Sequence, residues 1–102
     1  MHLVTLATAT DDAAYTEYQE SERFASLTAS LEEIGVSLQS AWNLLGKHDY
    51  LMVFEIGDDP STAFRAMSLI AQSGTMRTES MMAMPLADYF RMAADLGPDD
   101  LG

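Results

Sequence analysis

The chain has 102 residues, 48% of them apolar, which suits one domain with a thin core rather than two. Sixteen Asp and Glu stand against five Lys and Arg, a formal charge of −11, and a field of that sign repels phosphate backbones and anionic lipid. Nucleic acid and membrane are therefore not expected as partners, no apolar run reaches transmembrane length, and without cysteine there is no disulfide or thiol nucleophile.

The start, MHLVTLATAT, has no basic n-region and soon meets Asp11 and Asp12, so it does not read as a signal peptide, and a cytoplasmic protein is expected. LVTLAT, residues 3–8, is rich in β-formers and predicts a first strand. TDDAAYTEYQES then loses periodicity and reads as a loop or a short irregular helix. A firmer helix runs from about Glu22 to Ile34, with Phe24, Leu27, Leu31 and Ile34 at helical spacing and Gly35 as its C-cap.

VSLQSAWNLL, residues 36–45, alternates Val36, Leu38, Trp42 and Leu44 against Ser37, Gln39 and Asn43. HDYLMVFEI, residues 48–56, is apolar on both faces as far as Glu55. A two-residue turn at Gly46-Lys47 would join these strands, setting Asn43 opposite Tyr50 and Ala41 opposite Met52. The other face would then carry Trp42, Asp49, Leu51 and Glu55. Asp59-Pro60 is a helix start, a carboxylate cap followed by proline at the first helical position. That helix runs to about Ser73, with Ala63, Met67, Ile70 and Ala71 on its apolar face and Gly74 closing it. TMRTESMMAM, residues 75–84, reads as a last strand ended by Pro85. LADYFRMAADL forms a terminal helix before an acidic tail from about residue 97.

This order predicts one α+β domain over residues 1–102: a ferredoxin-like split βαβ with an antiparallel four-stranded sheet. Two helices cover one face of such a sheet. The other, holding several Leu, Met, Val and Phe side chains, needs a cover, and a second copy of the chain would supply it, so a homodimer is expected.

Three side chains are candidates for chemistry. His48 titrates near neutrality and suits a general base or metal ligand, or else a hairpin-end residue bonded to a carbonyl or to water. Asp49 beside it should point to the opposite face and so does not form a dyad with it. Glu55 lies inside an apolar strand, where a carboxylate needs a partner. Arg77 on the last strand is the obvious one, as a structural ion pair or as a substrate clamp. The two histidines and the acids show none of the usual metal-binding spacings, and no glycine-rich phosphate loop or nucleophile elbow occurs, so no cofactor is expected. The eight methionines suit gap-filling in a core or a deformable apolar lining.

LLGKHDYLMVFEIGDDPSTAF, with GTMRTESMMAM after it, resembles the GYD domain family, small proteins of the dimeric α+β-barrel, ferredoxin-like class. Gly46, Asp49, Glu55, Asp58 or Asp59, Gly74, Arg77 and Thr78 fall on the family pattern. The naming triplet departs: Lys47-His48-Asp49 stands where Gly-Tyr-Asp is expected. The resemblance implies a barrel built by two chains and no assigned reaction.

Three functions fit these readings. The first is a homodimer holding a small apolar or aromatic ligand through His48, Glu55 or Arg77. The second is a cofactor-free isomerase, cyclase, dehydratase or monooxygenase-like enzyme, with His48 as base and Arg77 stabilising an enolate-like oxygen. The third is a structural or partner-binding module.

Overall fold

The structure, a computed structural model, describes residues 1–9, 17–72 and 76–96. Its elements follow the order β1 (His2–Ala9), α1 (Glu17–Glu33), β2 (Ser37–Asn43), β3 (Tyr50–Glu55), α2 (Pro60–Gln72), β4 (Met76–Ala83) and α3 (Leu86–Leu96). The strands form one antiparallel sheet in the order β2-β3-β1-β4, the ferredoxin-like arrangement, with α1 and α2 on one face. Of the irregular stretch expected over residues 10–21, residues 17–21 belong to α1, while residues 10–16, the Gly74 stop and the acidic tail lie outside the described residues.

The expected barrel is not formed. β3 and β1 occupy the centre of the sheet, and β2 and β4 each keep one unpaired edge. A barrel built by two chains would need those edges to pair with a second sheet, whereas the sheet here is open and its second face is left bare.

Alternation along β1 sorts the two faces. Leu3, Thr5 and Ala7 are fully buried beneath the helices, whereas Val4, Leu6 and Thr8 point to the bare side and are half-buried. Leu3 and Thr5 meet Phe54 and Met52 of β3, and the core closes with Leu31, Val36, Ile56 and Ile70. Thr5 is the buried polar exception among the described residues, and its hydroxyl is satisfied by Ser80 Oγ at 2.8 Å.

Helix α1 ends in a Schellman motif, with Gly35 N–H donating to Glu32 O and Val36 N–H to Leu31 O. Gly35 has φ +83°, and a Cβ there would meet open space, so only the backbone resists a side chain. Gly35→Ala should therefore cost about 1 kcal/mol or slightly more in urea unfolding. A neutral result would mean that the motif opens at no cost.

Asp59 caps α2 as its position suggests. Ser61 N–H donates to Asp59 Oδ1 at 2.9 Å. That backbone bond, then the Ser61 hydroxyl and the charge of Arg65, hold the carboxyl below its usual range. The buried face of α2 is Ala63, Ala66 and Ile70 rather than the expected Ala63, Met67, Ile70 and Ala71. The two small residues let the helix lie close to the sheet, which turns Met67 outward. Helix α1 begins at Glu17, five residues before the expected start.

The β2–β3 register is the expected one, with Ala41 opposite Met52 and Asn43 opposite Tyr50. The connection is wider than a two-residue turn, because Leu44 N–H donates to Asp49 O at 2.7 Å and leaves residues 45–48 as the loop. A bulge between Leu38 and Ser40 interrupts the alternation of β2. Leu38 therefore faces the helices with Phe54, while Trp42 is carried to the bare side opposite Leu51.

Candidate functional site

The bare sheet face has an apolar centre and a polar rim. Across the strands run two rows, Trp42–Leu51–Leu6–Glu79 and Ser40–Val53–Val4–Met81. The four central side chains are half-buried by one another, whereas Trp42 on one edge is 60% exposed and Met81 on the other 44%. His2 and Glu55 lie at one end of the sheet, Thr8 and Arg77 at the other. Depleted charge at the centre, aromatic and methionine anchors, and polar residues around them are the composition of a protein interface.

His48, Glu55 and Arg77 fall on that rim and do not gather around one cavity. Glu55 pairs with His2 and Arg77 with Thr8, six residues apart along β1, which is about 20 Å at strand rise. The expected Glu55–Arg77 ion pair is thus out of reach. Glu55 instead accepts a hydrogen bond from Gln39 Nε2 at 2.8 Å. His48 Nδ1 lies 3.0 Å from Thr8 Oγ1. Asp49 takes a separate partner, accepting from Ala9 N–H at 2.7 Å, which ties the β2–β3 loop to the end of β1.

His48 is therefore a rim residue with a single hydroxyl contact, and His48→Gln retains a hydrogen-bonding tip of similar reach. The change should move the unfolding free energy by less than about 0.5 kcal/mol. A loss near 2 kcal/mol in urea titration would show that the ring props the loop. Among the described residues, no three His, Asp or Glu side chains gather in a way that could hold a metal ion.

A second exposed apolar surface escaped the sequence reading, although its spacing was visible. Helix α3 starts where Asp88 N–H and Tyr89 N–H both reach Pro85 O, and Asp88 pairs with Arg91 along its polar side. Leu86, Tyr89, Phe90, Ala93 and Leu96 recur at i, i+3, i+4, i+7 and i+10, yet none is buried. Leu86 and Phe90 are 64% and 61% exposed. The radius of gyration, 15.9 Å against about 13 Å for a compact chain of this length, fits a helix that projects from the body.

On the helix side of the sheet lies a cavity of about 350 Å³. It opens because α1 is seated by its C-terminal half: Leu31 is buried, Leu27 half-buried, and Phe24 36% exposed. Beneath the overhang Ala7, Met52 and Ile70 form the floor, and none of His48, Glu55 and Arg77 lines it.

The sequence matches the GYD domain model over residues 3–93. A Thermus thermophilus protein named glutamine synthetase and cystathionine beta-lyase binding protein is 35% identical over 86 residues, spanning 83% of this chain and 90% of its own length. Among solved structures, the structured domain of Drosophila melanogaster Boca has a TM-score of 0.53, covering 82% of this chain and 100% of that one. At 12% identity this is a likeness of fold alone. No helix among the described residues is long and apolar enough to cross a membrane.

Proposed function

We propose that this chain, which belongs to the GYD domain family, is a cytoplasmic protein-binding module that docks onto a metabolic enzyme through the bare face of its sheet. The observation that carries the reading is the apolar centre of Val4, Leu6, Leu51 and Val53, held between the exposed anchors Trp42 and Met81. A face of that composition is costly to leave in water and suits a partner with a matching apolar patch. The Thermus relative, named for binding glutamine synthetase and cystathionine beta-lyase, supports an enzyme of one of those two kinds as the occupant. The acidic surface argues against nucleic acid as an alternative partner.

Area favours a contribution from α3. A four-stranded sheet about 20 Å on a side presents roughly 400 Å² in projection, whereas a standard interface takes about 800 Å² from each partner. The apolar stripe of α3 is a second unburied surface of suitable chemistry.

The test is direct binding of the purified protein to glutamine synthetase and to cystathionine β-lyase from the same organism, by sedimentation and surface plasmon resonance. Saturable binding to at least one, with Kd of about 10 µM or tighter, is the expected result. If neither enzyme binds at about 100 µM while the protein self-associates, the face serves a second copy and the reading fails.

A further inference from the structure

We infer that the cavity under α1 is a binding site for a small aromatic carboxylate. The cavity volume, about 350 Å³, lies within the range of ligand pockets and admits one or two fused rings with a short substituent. Its floor and walls are apolar, from Ala7, Met52, Ile70 and Phe24, with the edge residue Trp42 at its border and the polar groups of Asn43 and Thr78 among them. Flat walls of methionine and aromatic side chains favour a planar, polarisable guest.

The charge of the lining selects the sign of the ligand. Acids outnumber bases sixteen to five in the chain, yet the described lining contains Arg23 and no carboxylate. In so acidic a protein, described lining residues whose one charged side chain is a guanidinium disfavour cations and favour a single negative charge. Arg23 is already engaged within the protein, and its five N–H donors can serve a carboxylate in the bidentate manner as well. The ring would then lie over Met52 and Ile70 with its carboxylate directed to Arg23 and the Asn43 amide.

Three probes of one shape separate charge from shape: 2-naphthoate, 2-naphthamide and 2-naphthylmethylammonium. They are titrated into the intact protein by calorimetry, with methyl NMR of Met, Ile, Leu and Val side chains locating each. Naphthoate is expected to bind at least about tenfold more tightly than the amide, and the cation least tightly. Ring-current shifts should fall on Met52, Met76 and Ile70. Arg23→Gln should abolish the preference for naphthoate while leaving amide binding unchanged, and Arg23→Lys should keep part of it. Arg23 is exposed, so both variants should fold, which melting curves verify. Equal affinity for all three probes, shifts confined to Val4, Val53 and Met81, or no binding at about 1 mM would each overturn the assignment. None of these outcomes involves the partner enzyme, so they leave the docking proposal to its own test.

Discussion

Replacing Trp42 by serine and Met81 by glutamate together should weaken binding to the partner enzyme by at least about 100-fold, or 2.7 kcal/mol, with little change in stability. The two side chains stand on opposite edges of the bare face, 60% and 44% exposed, so folding buries little of either. Docking would bury both, and truncating a desolvated tryptophan anchor commonly costs 2 kcal/mol or more. The glutamate adds a charge that the apolar partner surface would have to desolvate, beside Glu79 in a protein already at −11. The melting temperature should fall by no more than about 5 °C, as expected for exposed positions. Phe64→Ser is the matched control, a 70% exposed aromatic on α2 and thus on the helix layer. It should leave affinity unchanged. Wild-type affinity in the double variant would remove the sheet face from the account.

Ending the chain after Pro85 should remove affinity without unfolding the domain. The core of Leu3, Leu31, Val36, Phe54, Ile56 and Ile70 is complete without α3, which buries no side chain of its own. A melting temperature within about 5 °C of the full chain is expected, together with a loss of about tenfold or more in partner affinity. Because truncation also deletes acidic residues, Leu86→Ser with Phe90→Ser provides the version that keeps the charge, and it should reproduce the affinity loss. An unfolded truncated chain would show that α3 holds the body together and is not a free docking surface.

The parts of this fold legible in the sequence are those ruled by local chemistry. Asp59-Pro60 marks the start of α2, Pro85 the boundary between β4 and α3, and Gly35 the end of α1, because each residue acts through its own backbone. The pairing of Ala41 with Met52 followed from the hairpin count even though the loop is wider than supposed. What escaped depends on relations across the fold. The bulge at Gln39 has no residue signature, and it turns Leu38 toward the helices with Phe54, away from the face on which Trp42 stands as expected with Leu51. The small-residue face of α2 is chosen by how near the helix comes to the sheet, which no moment along one helix records.

The site was less legible than the fold for the same reason. Glu55 and Arg77 looked like partners because both are charges in apolar strands, but strand order and register decide the matter and set them at opposite ends. The bare apolar face was foreseen, whereas the barrel inferred to close over it was not formed. A pocket for an apolar or aromatic ligand was expected, but at His48, Glu55 or Arg77, and none of these lines the cavity under α1. It exists because α1 overhangs the sheet, and Arg23 and Asn43 carry no pattern that marks them as lining.

Methyl NMR of the complex tests the central claim most directly, because β1 carries its own control. Val4 and Leu6 face the bare side, with Leu51 and Val53 beside them, while Leu3, next to Val4 in sequence, points beneath the helices. With the partner enzyme added, the methyl signals of Val4, Leu6, Leu51, Val53 and Met81 should shift or broaden, and those of Leu3, Leu31 and Val36 should stay where they are. Perturbation confined to Leu31, Val36 and the outer faces of α1 and α2, with Val4 and Val53 unmoved, would contradict the account.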